Sequence, residues 1–276
     1  MVQDDPLGGQ ETHQDAEAEV EAVAIIGGTG VYKLEELEGE GPRVDTPYGS
    51  VEVFPGRLAG RPVYFLPRHG VGHTVPPHLV NYRANIWALR ELGVTQVLAT
   101  NAVGSLRTDW RPGQLVAVDQ FLDFTRGRPA TFCDGSDGHV VHTDVTEPYC
   151  PRLRSLIMAA GQELGLGVEG AGCYVCAEGP RYETAAEIRF FRQAGGDVVG
   201  MTGVPEVVLA REAGICYAAV ALVTNLGAGL TSAFLRHEDV VARMQEGAGS
   251  LRRLLNRVVA LLPSVRPQDA CPCARG

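Results

Sequence analysis

The sequence predicts an α/β protein, a single domain built on a central mixed, largely parallel β-sheet flanked by helices. Three observations carry this. Ile215 to Val223 is almost wholly apolar, which suits a strand covered on both faces. Ala22-Val-Ala-Ile-Ile26 reads as a second buried strand, running into the glycine turn Gly27-Gly-Thr-Gly30. Between such strands lie stretches with helical spacing, as at Leu153, Leu156, Ile157 and Ala160.

A chain of 276 residues with 45% hydrophobic content is ordinary for a globular enzyme. Residues 1–21 hold seven acids and neither Lys nor Arg; without them the formal charge falls from −9 to −2. That segment is read as a disordered acidic tail, followed by a domain over 22–263 and a second tail over 264–276. Basic residues do not cluster as a nucleic-acid footprint requires. No run approaches a membrane span and no basic-plus-apolar leader opens the chain. The expected setting is therefore cytoplasmic and reducing. Lys33 is the only lysine among 24 Lys and Arg residues, which excludes a Walker-type phosphate loop.

In chain order, the first glycine turn lacks the third glycine of a dinucleotide fingerprint, since Lys33 stands there. Its exposed N–H groups and Thr29 suit a single phosphate instead. Thr46-Pro-Tyr-Gly-Ser50 is a turn between strands, and the strand Val63–Leu66 ends in Pro67-Arg68-His69. A guanidinium beside an imidazole makes a clamp for an oxyanion. His73 and His78 lack acidic or cysteine partners at ligand spacing and read as loop histidines, so no metal is expected. A helix follows over Asn81–Leu92, then a strand from Val97 turning at Asn101-Ala102-Val-Gly104. Leu115–Asp119 is a short strand, and Asp119-Gln-Phe-Leu-Asp123 continues into a loop that includes Arg126 and Arg128. Pro151–Leu164 is an amphipathic helix, and Gly172–Ala177 a strand. Cys173 and Cys176 point to opposite sides of that strand and read as ordinary strand cysteines. The role of Cys271-Pro-Cys273 stays open.

Glu178-Gly-Pro-Arg-Tyr182-Glu183-Thr184 precedes a helix over Ala185–Gln193, and on residue chemistry alone Glu183 reads as its acidic cap. Pro205 opens another helix and Gly214 closes it. Thr202 thus sits at a helix N-terminus, where N–H groups and the dipole favour an anion. Asn225 lies at the C-terminal end of the apolar strand, where open α/β sheets bind ligands. His237-Glu-Asp opens a last helix running to about Leu262.

Met201-Thr-Gly-Val-Pro-Glu-Val-Val-Leu-Ala-Arg-Glu-Ala-Gly-Ile215 resembles the signature segment of the trimeric purine nucleoside phosphorylase and methylthioadenosine phosphorylase family, and the likeness extends over Val23–Leu262. The resemblance implies a nucleoside phosphorylase-like fold. It also implies a phosphate cradle of Thr29, Arg68, His69, Asn101, Ala102 and Thr202. Nucleoside contacts fall on Tyr182, Glu183, Met201, Asn225, Leu226, Gly227 and His237, with His142 reaching a neighbouring subunit's site. His69 and Asn225 take the catalytic roles. The family implies a homotrimer or hexamer, small-molecule nucleoside and phosphate partners, and no cofactor beyond inorganic phosphate as co-substrate.

Two positions choose the base. An amide at Asn225 accepts N7–H of the leaving purine and donates to a 6-oxo group, while Glu183 accepts N1–H of hypoxanthine or guanine. Adenine offers the opposite pattern at both contacts. The expected reaction is phosphorolysis of inosine and guanosine. Its rivals are a methylthioadenosine or methylthioinosine phosphorylase and, from another class, a non-catalytic nucleoside-binding protein.

Overall fold

The computed structural model describes residues 21–27, 41–135, 138–231, 236–265 and 273. Strand β1 (Ala22–Gly27) is followed by the hairpin β2 (Arg43–Thr46) and β3 (Gly49–Glu52), joined through the expected turn. Next come β4 (Phe54–Leu58), β5 (Arg61–Pro67), α1 (Tyr82–Glu91), β6 (Val94–Ser105), β7 (Leu115–Ala117) and β8 (Gln120–Phe124). The second half runs α2 (Pro151–Glu163), β9 (Val168–Glu169), β10 (Cys173–Ala177), α3 (Ala185–Gln193), β11 (Val198–Gly200), α4 (Gly203–Glu212), β12 (Cys216–Leu226) and α5 (His237–Leu261).

The sheet forks at β6. One edge of its first half pairs in parallel with β1, beyond which lie parallel β5 and antiparallel β4. Its far end turns the same edge to antiparallel β11, followed by parallel β10 and β8. The other edge carries β12 in parallel along most of its length, from Gln96↔Cys216 to Ser105↔Leu226. Antiparallel β7 and then β9 close that side. The sheet is thus mixed and largely parallel, as expected.

Alternation along the strands sorts side chains between two apolar layers. Ala24, Ile26, Tyr217, Ala219 and Val223 face the layer that contains Ile86 and Leu89 of α1 and Val207 of α4. Val23, Ile25, Ala218, Val220 and Leu222 face Leu153 and Ile157 of α2 and Leu251, Leu255 and Val258 of α5. β12 is buried from Cys216 through Thr224, which is why it reads as a continuous apolar run rather than an alternating one.

Two expectations need correcting. The segment from Asn101 to Gly104 does not turn: β6 continues to Ser105 because β11 and β12 supply partners on both sides. Gln120–Phe124 is a strand, not the start of a loop, held by the parallel ladder with β10. Its side chains are largely solvent-facing, so it lacks the apolar signature of an inner strand.

Candidate active site

The C-terminal ends of β1, β5 and β6 bring the cradle residues together. Arg68 follows the last residue of β5, and its N–H donates to Gly27 O at 3.2 Å. The side chain is buried and forks onto Glu206 of α4, with Nε to Oε2 at 2.6 Å and Nη2 to Oε1 at 2.7 Å. Nη1 donates to Thr100 O at 2.9 Å, and the Tyr217 hydroxyl donates to Glu206 Oε1 at 2.7 Å. Burial by itself disfavours the guanidinium charge, but the Glu206 carboxylate more than offsets this and holds the Arg68 pKa above its ordinary value. Three of the five guanidinium N–H groups are engaged this way, leaving two for a further acceptor.

His69 donates from Nδ1 to Val75 O at 2.8 Å, and its ring lies against His73 with centroids 4.1 Å apart. Burial and then the Arg68 charge push its pKa down to about 4. The imidazole is therefore neutral at physiological pH, with the Nε2 lone pair as its acceptor. Val75 N–H donates back to His69 O at 2.9 Å, which closes the loop between them.

Asn101 is buried on β6, and its Nδ2 donates to Thr202 Oγ1 at 3.0 Å. The Thr202 hydroxyl keeps its own proton for another acceptor, and Asn101 Oδ1 is buried with no partner among the described residues. The helix N-terminus itself differs from expectation. The N–H groups of Thr202 and Gly203 both point at the buried Tyr174 hydroxyl, at 3.2 and 3.3 Å. Val204 is not helical, so the regular turns of α4 begin at Pro205. Gly200 is required here: a Cβ on it would stand 2.2 Å from that hydroxyl. With both N–H groups taken by Tyr174, the group of Thr202 left to meet an anion is its hydroxyl.

The second group gathers where β12 ends. Asn225 Nδ2 donates to Leu226 O at 2.9 Å. The Thr224 hydroxyl lies 2.9 Å from Asn225 Oδ1 and 3.2 Å from Val103 O, with one proton for the two acceptors. The amide accordingly retains one donor and acceptor capacity. Gly104 makes room for it, since a Cβ there would sit 3.1 Å from Nδ2. Gly227 N–H donates to Ser105 O at 2.8 Å, holding the strand end against β6, and Leu226 is half-buried beside it.

Glu183 is buried just before α3, and its Oε1 has no partner among the described residues. The capping reading fails: Thr184 accepts from Glu187 N–H and Glu187 reaches back to Thr184 N–H, forming a complete capping box. Burial raises the pKa of Glu183. It lines a cleft of about 520 Å³ shared with Phe124, Phe190, Phe191 and Arg126. Tyr182 is half-buried, its pKa raised by burial and then by Glu183 and Glu238, so the start of α5 lies near it.

The remaining candidates scatter. Thr29 lies outside the described residues. Met201 packs on Gly179, whose Cβ would stand 2.6 Å from its sulfur. His237 is exposed at the first position of α5 and its charge, after burial, lowers the pKa of His73, which places the two near each other. Ala102 and His142 are exposed, and no described contact draws His142 to the other site residues.

Arg128, read from sequence as a loop residue, holds four segments together. It donates to Met201 O at 2.8 Å, Val204 O at 2.9 Å, Glu178 O at 2.7 Å and the Tyr82 hydroxyl at 3.2 Å, and pairs with the Glu178 carboxylate at 3.0 Å. Glu206 and Tyr174 escaped notice for the same reason, since their partners are remote in sequence. A lone acid inside an otherwise apolar helix face, as in Val-Pro-Glu206-Val-Val, was the one available signal.

Residues 22–260 match the family model described as the phosphorylase superfamily. A protein of Dictyoglomus turgidum named probable 6-oxopurine nucleoside phosphorylase is 51% identical over 252 residues, covering 91% of this chain and 94% of its own. One of Methanothermobacter thermautotrophicus named probable S-methyl-5'-thioinosine phosphorylase is 49% identical over 255 residues, covering 91% and 87%. Among solved structures, methylthioadenosine phosphorylase from Schistosoma mansoni in complex with adenine superposes with a TM-score of 0.81 at 36% identity. That match covers 87% of this chain and 91% of the other.

Proposed function

Because the chain belongs to the phosphorylase superfamily, we propose that it is a 6-oxopurine nucleoside phosphorylase. It cleaves the N-glycosidic bond of inosine and guanosine with inorganic phosphate, giving free base and (deoxy)ribose 1-phosphate for purine salvage. The observation that carries this reading is the buried Glu183 carboxylate with an unpartnered oxygen. A buried acceptor in that state needs a donor, and N1–H of a 6-oxopurine supplies one, whereas N1 of adenine does not. Asn225 completes the pattern with one acceptor and one donor for N7–H and O6.

The cradle supports phosphate as nucleophile. Arg68 offers its two remaining N–H groups, Thr202 its hydroxyl proton, and neutral His69 an acceptor at Nε2 for a phosphate proton. Phosphate beneath C1′ attacks as the C1′–N9 bond breaks and its electron pair leaves with the purine. The free Asn225 N–H donates to the charge developing on O6, a proton from solvent adds at N7, and the Asn225 carbonyl accepts that N7–H. Met201 packs against ribose in this reading, with Thr29 and Ala102 completing the phosphate site and His237 facing the 5′-hydroxyl. The chain works as a cytoplasmic homotrimer or hexamer, His142 serving the neighbouring site.

A second reading, a methylthioinosine phosphorylase, shares the base and differs at the 5′ end; the Methanothermobacter relative favours it. A panel of inosine, guanosine, adenosine, methylthioadenosine and methylthioinosine, each with and without phosphate, decides among these. Turnover is expected only with phosphate, with 6-oxopurines ahead of adenosine by on the order of 10⁴-fold. Cleavage of methylthioadenosine with inosine untouched overturns the reading.

The raised pKa of Glu183 also predicts a pH effect. As pH falls through that value the carboxyl gains a proton and loses its role as acceptor. The acid limb of kcat/KM for inosine is therefore expected at a higher pH than an ordinary glutamate gives, and Glu183→Gln should abolish it. A limb that persists unchanged in this variant assigns it to another group.

A further inference from the structure

Far from the nucleoside residues, the sulfur atoms of Cys150, Cys216 and Cys273 lie within 4.8 Å of one another. The three residues are 0%, 0% and 2% exposed. They come from three separate places: the residue before α2, the first residue of β12 and the chain beyond α5. Cys273, expected in a tail, belongs to the apolar layer between the sheet and helices α2 and α5. Cys150 N–H donates to Tyr217 O at 2.8 Å, fastening the start of α2 to β12.

We propose that these three thiols form a three-coordinate site for a soft d¹⁰ cation, monovalent copper above all. Three sulfurs around one ion at a metal–sulfur distance of about 2.3 Å stand roughly 4.0 Å apart, which the cluster accommodates with little movement. Thiolate sulfur selects soft ions, and the cluster contains no histidine or carboxylate among the described residues. Divalent zinc prefers a fourth ligand. Copper(I) held by two thiolates and one thiol leaves a single negative charge, and Gln96 beside Cys216 joins one cation, Arg152, and one carboxylate, Glu21 at 3.5 Å. Arg152 bonds Gln96, the register partner of Cys216, while its Nε and Nη1 are buried without partners among the described residues.

Binding exchanges two S–H bonds for S–Cu bonds, adds a lone-pair bond from the third, still protonated sulfur, releases two protons to solvent and leaves the copper oxidation state unchanged. Copper affinity is therefore expected to rise with pH. Cys216 opens β12 and Asn225 lies about 30 Å of extended strand away, while Asn101 of the cradle pairs with Ala221, roughly 17 Å along the strand from Cys216, and the neighbouring Tyr217 faces the opposite side of the sheet. Phosphorolysis is expected to be indifferent to loading, which keeps this proposal separable from the functional one.

The test titrates the reduced full-length protein anaerobically with copper(I) against a competing copper(I) chelator, and in parallel with zinc(II). One copper per chain is expected, with a near-ultraviolet thiolate-to-copper band and protection of the three cysteines from alkylation as mapped by mass spectrometry. Cys216→Ser and Cys273→Ser should each weaken retention by more than the ~10- to 100-fold that loss of an outer-shell partner costs, whereas Cys133→Ser should leave it unchanged. Retention unaffected by the first two variants, tighter zinc than copper, or free alkylation of all three cysteines in the copper-loaded wild type overturns the proposal. So does a disulfide among these cysteines that survives reductant. Because burial alone already shields these thiols, the map is read as the difference between metal-free and copper-loaded protein in mild denaturant. Together with the copper stoichiometry and the near-ultraviolet band it needs no variant, so it decides even where a substitution prevents folding.

Discussion

Asn225→Asp is expected to lower kcat/KM for inosine by roughly 10²- to 10⁴-fold and to raise the relative rate on adenosine. The physical reason begins with the donor and acceptor inventory at the end of β12. The native amide has one N–H committed to Leu226 O and one free, and its oxygen shares the Thr224 proton with Val103 O. That leaves one donor for O6 and one acceptor for N7–H. An introduced carboxylate has no donor, and it faces the Leu226 carbonyl where an N–H used to be. Both oxygens then repel, so the introduced group favours its protonated form. A neutral acid has one O–H: given to N7, with the other oxygen accepting from a 6-amino group, it fits adenine, but the Leu226 carbonyl then goes without the donor it has in the native site, which limits the gain. Gly104 leaves space for the substitution without a steric confound, because Asp and Asn are nearly isosteric. The Glu183 contact still opposes adenine, so Asn225→Asp alone should reduce the preference for 6-oxopurines rather than invert it. The measurement is kcat/KM for inosine and adenosine at saturating phosphate. An inosine-to-adenosine ratio equal to that of the unaltered enzyme would remove Asn225 from base recognition.

How much of this site is legible in the sequence depends on how local its determinants are. β1, β12 and α3 are readable because each carries its own signal: two uninterrupted apolar runs, and a helix that begins at Ala185 as expected and ends at Gln193. β8 is not, because Gln120-Phe-Leu-Asp-Phe124 is largely solvent-facing and owes its extended form to β10, some fifty residues on. The same holds at the site. The assignment of residues to the purine rests on resemblance to a family, not on spacing; on chemistry alone Glu183 reads as a helix cap. It is released from that role by Thr184 and Glu187, a capping box written plainly in the sequence as Thr-Ala-Ala-Glu but easily passed over. The engagement of the α4 N–H groups by Tyr174, and of Arg68 by Glu206, joins residues 28 and 138 positions apart. No local pattern announces such pairs.

Glu206→Gln is expected to destabilise the fold by about 3–5 kcal/mol, the cost of leaving a buried charge without its partner. Arg68 is only 3% exposed and Glu206 fully buried, so water cannot replace the lost carboxylate. Both carboxylate oxygens accept from Arg68, so the substituted amide turns its NH₂ toward a guanidinium N–H in either orientation, and that contact becomes donor against donor. For a chain of this size the melting temperature should fall by roughly 6–20 °C, at 2–4 °C per kcal/mol. Activity separates this structural effect from a role in binding. In the native pair Glu206 offsets the Arg68 charge and fixes the plane of its fork, so in the proposed cradle the anion would meet an oriented pair of N–H groups rather than a free cation. If Arg68 works through that orientation, the variant raises KM for phosphate at a temperature where it is still folded, while KM for inosine changes little. The double substitution Arg68→Met with Glu206→Leu supplies the counter-test. Removing both charges should restore much of the lost stability, as replacement of buried ion pairs by apolar residues often does, yet leave phosphorolysis abolished. Recovery of activity along with stability in the double variant would show that the ion pair holds the fold and nothing more, and the phosphate cradle would then have to be rebuilt without Arg68.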